Sequence, residues 1–443
     1  MGCTDLQTGR PKGRICGRKR ILVPGEIVRD RSYRFCIESQ ADAGYNILAL
    51  SLLNHSPGTV FRGGDTIDTA DLIYRDLQRH LDRQAVGFPA TKAGAEIRIL
   101  KRLFSPDEAR LALHITYKPM PLECICDLAE GSGIARDRVE SMLDNMARNG
   151  AIEYVEREGT RCFRTIPLIV GMFEYQLNRL TPEFLDDFEQ YTSGRAFGLS
   201  FLSTERPQMR TIPVGKSIGV EHHVATYDDI SEIINGSEGP FGIIECICRK
   251  SAAMMGNSCK KTSRRETCMP IGEMAKQAIQ NGMGRAIRGE EALEIAWMNE
   301  AEGLVFQPSN AQKADFICAC CGCCCGMLRF QKMLPRPVDF WATNYHATVS
   351  ADNCTGCKIC VERCQVAAVT VDNGGNSAVI DLDRCIGCGN CIVTCPAGAM
   401  SLVRKKKETV PPTDTEALHD EIMAHKKGTI GRMMLAAKLM LKR

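Results

Sequence analysis

Apolar residues recur at helical spacing through much of the first 170 residues. Those between residues 72 and 81 predict a helix, which Gly87-Phe88-Pro89 interrupts. Another helix is predicted to begin at Ser105, because a capping serine, a proline and two acidic residues follow one another over residues 105–108. Apolar residues spaced i, i+3, i+4 and i+7 predict a further helix, ending at Asn149-Gly150: Val139, Met142, Leu143 and Met146.

Two runs of strand-forming residues follow these helices, at 152–156 and 161–166, on either side of Glu158-Gly159. Helices followed by a β-hairpin over residues 96–170 resemble a winged helix, a fold used for DNA binding and equally for protein contacts. The presumed recognition helix and the wing each carry three basic and three acidic residues. Because a DNA-binding face gains affinity from a basic surplus, we expect a docking or scaffold module and no nucleic-acid binding.

The chain is predicted to be α+β and multidomain. Phe241–Ile244 is predicted to be a short buried strand that opens a cysteine-rich domain. Packing against its own protein is the interpretation that we favour for the carboxyl-terminal tail, and peripheral membrane contact is the alternative. The predicted segments are a basic arm and helical segment (1–90), the winged-helix-like domain (91–172), a helical linker (173–240), the cysteine-rich domain (241–345), a second cysteine-rich domain (346–403) and a basic amphipathic tail (404–443).

Composition excludes several classes of protein. A net charge of +3 over 443 residues argues against a general polyanion-binding role, and 44% hydrophobic residues exclude wholesale disorder. No stretch reaches the ~18–20 apolar residues that a membrane-spanning helix needs.

The unusual feature of the composition is cysteine: 18 of the 24 cysteines lie between Cys246 and Cys395. No apolar signal segment follows Met1, so we expect a cytoplasmic protein, where clustered cysteines hold metal more often than they form disulfides.

Eight of these cysteines form an internal repeat with an offset of 31 residues. The first half is Cys354-x2-Cys357-x2-Cys360-x3-Cys364, and the second is Cys385-x2-Cys388-x2-Cys391-x3-Cys395-Pro396. The pattern resembles the bacterial two-cluster ferredoxins over about 50 residues. That resemblance implies two [4Fe–4S] clusters close enough to exchange electrons, and a ferredoxin-like domain at 346–403. It assigns one cluster to Cys354, Cys357, Cys360 and Cys395, and the other to Cys385, Cys388, Cys391 and Cys364.

One position departs from the ferredoxin pattern. Gln365 stands where the first repeat of that family usually has proline. The change removes no ligand, although it is expected to loosen the turn after Cys364.

Ten further cysteines lie upstream in two stretches. They are Cys246, Cys248, Cys259 and Cys268, then Cys318, Cys320, Cys321, Cys323, Cys324 and Cys325. We favour one or two additional Fe–S clusters with ligands drawn from both stretches. Alternatives are a zinc site on the first four, a thiol–disulfide centre in the second run, and buried thiols beside solvated basic loops.

Local charge and adjacency refine this interpretation. Six cations surround the first stretch and would offset the charge of thiolate ligands: Arg249, Lys250, Lys260, Lys261, Arg264 and Arg265. Because Cys323, Cys324 and Cys325 are adjacent, we do not expect all three to bind one metal.

The order of these motifs over residues 90–403 resembles a group of 4Fe–4S dicluster proteins from anaerobes and archaea with a winged-helix-like region upstream. The resemblance implies an electron-transfer component of a larger redox system, passing electrons to or from a partner oxidoreductase or another electron carrier. We therefore favour a non-catalytic subunit. The alternatives are a redox-sensing DNA-binding regulator and a catalytic reductase that works at the middle cysteines.

Overall fold

The amino-terminal helices form where the apolar periodicity predicts them. The computed structural model describes residues 69–218 and 225–441, so the first 68 residues of the predicted basic arm and helical segment lie outside these residues. Its first helices are α1 (Thr69–Arg83), α2 (Ala95–Leu103) and α3 (Pro106–Ala112). The Ser105 hydroxyl accepts the Glu108 N–H at 3.3 Å, and the Glu108 carboxylate accepts the Ser105 N–H at 2.8 Å. This reciprocal cap fixes the start of α3 and confirms the predicted helix start.

A three-stranded antiparallel sheet packs on the next two helices. The elements are β1 (Met120–Pro121), α4 (Leu122–Glu130), α5 (Arg136–Arg148), β2 (Ile152–Arg157) and β3 (Thr160–Thr165). The strand order is β1-β3-β2. The four apolar residues that predicted α5 are all buried against this sheet and the neighbouring helices. The predicted helix and hairpin therefore both form.

The described residues between 173 and 240 include three α-helices that pack into the molecule. They are α6 (Pro182–Thr192), α7 (Arg195–Phe201) and α8 (Ile230–Asn235). Between them Ile212 and Val214 are fully buried, and the Arg210 guanidinium donates to the Ala311 carbonyl at 2.7 Å. These residues are therefore part of the buried core.

A five-stranded antiparallel sheet forms the centre of the cysteine-rich region. The elements of this region are β4 (Phe241–Glu245), α9 (Ile247–Met254), β5 (Glu266–Pro270), α10 (Glu273–Gln280), β6 (Gly284–Ile287), α11 (Gly289–Ala301), β7 (Val305–Pro308), β8 (Phe316–Cys320) and α12 (Gly326–Met333). The strand order in the sheet is β6-β4-β5-β8-β7. The predicted strand at 241–244 is β4.

Short paired strands frame the eight repeated cysteines. The elements are β9 (Tyr345–Val349), α13 (Ile359–Arg363), β10 (Val369–Val371), β11 (Ala378–Ile380) and β12 (Met400–Arg404). Strands β9 and β12 pair antiparallel, as do β10 and β11. The described residues thus combine helices and sheets, as expected for an α+β protein, and they belong to a single compact unit.

The tail forms two helices, α14 (Thr415–Ala424) and α15 (Thr429–Leu441). Leu435 of α15 is buried against Leu202 and Leu334, so one face packs on the protein. Ile430 and Met433 on α15 are about 70% exposed. Among the described residues, no helix combines the length and the hydropathy needed to cross a membrane.

Candidate metal centres

The first predicted ferredoxin ligand set surrounds a small cavity. Cys354, Cys357, Cys360 and Cys395 all line it. The Ala378 N–H donates to the Cys354 sulfur at 3.3 Å. This backbone hydrogen bond, and one from Gly356, lower the pKa of the Cys354 thiol. Amide hydrogen bonds to sulfur are characteristic of iron–sulfur ligation.

The second predicted set lies deeper in the protein. Cys385 and Cys391 are buried. Burial raises the pKa of the Cys391 thiol, and the charges of Cys388, Cys385 and Cys364, and of Cys360 from the first set, raise it further. The Ala347 N–H donates to the Cys385 sulfur at 3.4 Å, and the Ala368 N–H donates to the Cys364 sulfur at 3.2 Å. Burial raises the pKa of the Cys388 thiol to about 12. The first set thus combines cysteines from both halves of the repeat, and it lies nearer the surface, where Cys357 is exposed.

Four of the middle cysteines converge on one point. The sulfurs of Cys259, Cys321, Cys323 and Cys324 all lie within 4.8 Å of one another. Their sulfur–sulfur distances include 3.5 Å for Cys321–Cys323, 3.6 Å for Cys259–Cys321 and 3.7 Å for Cys323–Cys324. We call this set the four-thiol group.

The four-thiol group is supported by the backbone around it. The Lys261 N–H donates to the Cys259 sulfur at 3.5 Å. Although burial opposes it, hydrogen bonds from the Lys261 and Thr262 backbone lower the pKa of the Cys259 thiol to about 7. Burial raises the pKa of Cys321 to about 11. Cys259 can therefore lose its proton near neutral pH and bind a metal as a thiolate.

The other six middle cysteines all line one cavity, and neighbouring thiols act on one another's pKa. Cys246 interacts with Cys248 and Cys268, Cys325 with Cys248 and Cys320, and Cys318 with Cys268 and Cys320. We call this set the six-thiol ring. Hydrogen bonds from Cys248 and Cys268 hold the pKa of the Cys246 thiol well below its usual range. The interaction between Cys246 and Cys248 raises the pKa of the Cys248 thiol.

The structure thus divides the ten middle cysteines in a way that the sequence did not predict. Both groups combine the two stretches, and the three adjacent cysteines are separated, with Cys325 in the ring and the other two in the four-thiol group. The alternative zinc set on the first stretch is not brought together. Cys259 lies with the four-thiol group, whereas Cys246, Cys248 and Cys268 lie in the ring.

The predicted cations only partly surround the thiols. Arg249 is buried, donates to the Ala319 carbonyl at 2.7 Å, and has its pKa raised by Cys246 and Cys268 although burial opposes this. Lys250 and Arg265 instead lie within 4 Å of the Glu245 carboxylate. The nearest compensating charge therefore comes from a single buried guanidinium.

A large apolar cavity opens onto the six-thiol ring. Its volume is about 450 Å³, and all six ring cysteines contribute to its wall. Six phenylalanines and two acidic side chains, Glu174 and Glu189, also line it. Burial raises the pKa of Glu174 to about 7, although its carboxylate accepts the Gly171 N–H at 2.8 Å. The lining phenylalanines are Phe173, Phe188, Phe197, Phe201, Phe316 and Phe330.

Gln365 joins the repeat to the middle cysteines. Its side-chain oxygen accepts the Gly322 N–H at 2.9 Å, and its amide donates to the Gly303 carbonyl at 3.0 Å. A Cβ on Gly322 would lie 2.1 Å from the Gln365 carbonyl oxygen, so only glycine permits this approach. Asn390 from the second half of the repeat also donates to Gly303, at 3.1 Å. The sequence marks Gln365 as a departure from the ferredoxin pattern, but its partners are visible only in the fold.

Comparison with known proteins identifies one segment. Residues 348–408 match the family model of the 4Fe-4S dicluster domain, so this segment is of that type and supports an iron–sulfur electron-transfer role. No curated protein and no solved structure matches the chain.

Proposed function

We propose that this protein is an electron carrier with two [4Fe–4S] clusters in its dicluster domain, exchanging single electrons with a partner oxidoreductase or another carrier. The observation that supports the proposal is the match of residues 348–408, together with the cavity that Cys354, Cys357, Cys360 and Cys395 line from both halves of the repeat. When bound, each cluster would accept and release one electron. The protein's own residues hold the clusters and tune them through amide–sulfur hydrogen bonds.

The exposed edge at Cys357 is the proposed point of exchange with the partner. Cys357 and its neighbour Lys358 are exposed, and Ile359 is 41% exposed. Cys385 and Cys391 of the second set are buried in one cluster with Cys320 and Cys325 of the middle cysteines. Electrons would thus enter or leave at the first cluster and pass inward through the second.

The charges of the winged-helix-like region support a docking or scaffold role over DNA binding. Arg161 forms ion pairs with Glu140 and Asp144, while Arg138 pairs with Asp107 at 2.8 Å. Arginines that are already paired have little net charge to offer a phosphate backbone. We therefore rank a redox-sensing DNA-binding regulator below the electron carrier.

Ligand substitutions test the proposal through its crossed cysteine sets. We expect Cys395→Ser to lose the same EPR signal of the anaerobically reduced protein as Cys357→Ser. Cys364→Ser should match Cys388→Ser and leave that signal in place. Each variant should lose about four of about eight dicluster iron atoms. Cys162→Ser, which replaces a buried free cysteine outside these sets, is the control.

The crossed assignment is wrong if Cys395→Ser instead resembles Cys388→Ser. The carrier proposal itself fails if no variant changes the EPR spectrum of the reduced chain.

A further inference from the structure

We propose that the six-thiol ring holds a multinuclear iron–sulfur centre, and that this centre faces an apolar ligand bound in the adjoining cavity. The inference rests on the proposed function, because the dicluster domain supplies the electrons. It makes the middle of the protein the destination of those electrons.

The number of thiols is the first argument. One tetrahedral ion or one [4Fe–4S] cube takes four protein thiolates, so either would leave two of the six ring thiols without a metal. All six line the same cavity, and four of them lie on or directly after neighbouring strands of one sheet. A centre with several iron atoms uses all six thiolates and compensates their charge, which a single buried Arg249 cannot do.

The placement of the ring cysteines on strands and at the start of a helix is the second argument. Cys246 follows strand β4, Cys268 lies in β5, and Cys318 and Cys320 lie in β8. Cys325 immediately precedes helix α12. Ligands fixed on neighbouring strands of one sheet are held more rigidly than ligands on a loop, as a preorganised metal centre requires.

The cavity beside the ring offers space for a ligand in addition to the iron centre. Its volume of about 450 Å³ falls within the ~300–1,000 Å³ typical of small-molecule sites. Part of its wall is aromatic: Phe173 and Phe188 stack with ring centres 3.7 Å apart, and Phe197 and Phe201 stack at 5.7 Å. Phenyl rings offer iron no ligand, whereas they bind a flat apolar molecule well. The ligand class is therefore a small, largely apolar molecule.

The dicluster domain contacts the ring directly. Cys320 and Cys325 belong to the same buried cluster as Cys360, Cys385 and Cys391. The Gln365–Gly322 hydrogen bond closes the same interface. In the proposed transfer, a reduced [4Fe–4S] cluster loses one electron and is oxidised, and the six-thiolate centre gains that electron and is reduced.

Metal analysis of the full chain tests the centre. We expect the anaerobically isolated wild-type protein to contain about twelve or more iron atoms, above the about eight of the dicluster domain. The double variant Cys268→Ser/Cys318→Ser should fall to about eight while keeping the dicluster EPR signal. Its matched control is Cys126→Ser/Cys162→Ser, which removes two buried free cysteines elsewhere.

The outcomes separate the two proposals. About eight iron atoms in both wild type and ring variant overturn the six-thiolate centre and leave the carrier intact. Fewer iron atoms together with no dicluster EPR signal in the wild type overturn the carrier instead.

Naphthalene serves as the probe for the cavity. We expect naphthalene to change one EPR signal of the wild-type protein until the effect saturates. This signal is the one that the double variant Cys268→Ser/Cys318→Ser lacks. Phe188→Trp should weaken this effect by about tenfold or more, because the larger side chain fills the cavity, and should keep the iron content. Phe340→Trp, outside the cavity wall, is the control. An unaltered EPR signal at saturating naphthalene, or an equal response in Phe188→Trp, overturns the ligand site.

A second inference rests on the sulfur distances of the four-thiol group. We infer that it holds one tetrahedral Zn²⁺. Zinc–sulfur bonds of about 2.3 Å place the four sulfurs of a tetrahedron about 3.8 Å apart. The distances of 3.5, 3.6 and 3.7 Å, with 3.8 Å for Cys259–Cys323, agree with this value.

The dicluster thiols provide a comparison within the same chain. All eight belong to the described residues, and among these residues no three dicluster sulfurs lie within 4.8 Å of one another, as those of the four-thiol group do. A [4Fe–4S] cube holds its thiolates at the corners of a larger tetrahedron, beyond thiol–thiol contact. The four-thiol group is therefore too narrow for a cube and fits a single ion.

Zinc content tests this second inference. We expect about one zinc per chain in the wild type, with loss of most of it in Cys259→Ser and no loss of iron. The ring double variant should retain its zinc. Less than about a tenth of a zinc per chain, or iron with the spectrum of a single tetrathiolate ion, overturns the assignment.

Discussion

The hydrogen bonds of Gln365 allow one prediction to be worked in detail. Its side chain is 2% exposed and makes two bonds, from the Gly322 N–H at 2.9 Å and to the Gly303 carbonyl at 3.0 Å. In Gln365→Met the shape is nearly kept and both bonds are lost. The Gly303 carbonyl keeps its bond from Asn390, so the main cost is the buried, unpaired Gly322 N–H.

The expected loss of stability follows from these contacts. An unsatisfied buried group costs about 1–3 kcal/mol, and the second lost bond adds about 1 kcal/mol. We therefore expect Gln365→Met to lower the free energy of unfolding by about 2–4 kcal/mol.

Gln331→Met is the matched control. Gln331 is fully buried, but its amide makes one long bond to the Arg384 carbonyl at 3.4 Å, and its oxygen has no hydrogen-bond partner. Its replacement should cost less than about 1 kcal/mol. The assay is anaerobic urea unfolding of the cluster-loaded protein, followed by circular dichroism. Equal destabilisation by the two variants would refute the reasoning, as would a neutral Gln365→Met.

Two further predictions concern a cluster turn and a buried histidine. Gly387→Ala should abolish the EPR signal of the second cluster, because the added Cβ would lie 2.3 Å from the Tyr345 carbonyl oxygen. Gly398 has a similar φ but no atom within 4 Å of an added Cβ, so Gly398→Ala should keep this EPR signal. Burial lowers the pKa of His419 to about 3, so the unfolded chain binds the proton more tightly and stability falls as the pH drops below about 6.5. Between pH 7 and pH 5, His419→Phe should remove about 2 kcal/mol of the loss of folding stability, measured by thermal unfolding scans. Replacement of the exposed His425 should not remove this loss. An unchanged dependence of stability on pH in His419→Phe would count against this account.

Local signals in the sequence predicted much of the fold. The spacing of apolar residues located α1 and α5, and the Ser105 motif located the start of α3, because helix periodicity and capping depend on neighbours a few residues away. The eight repeated cysteines were equally visible, and the family match covers them.

The middle site could not be predicted in the same way. Its ten thiols come from separate strands, and their division into four and six depends on how the five-stranded sheet pairs. The cavity wall comes partly from residues 173–201, which the sequence suggested were a linker. Burial and long-range pairing decide such features, and neither is encoded in local spacing.

Quantitative iron and acid-labile sulfide analysis of the anaerobically isolated chain, with EPR after reduction, tests the central claim most directly. The account predicts at least about eight iron and eight sulfide per chain, with signals from two interacting [4Fe–4S] clusters. A colourless protein that contains no iron, or that contains zinc alone, would contradict it.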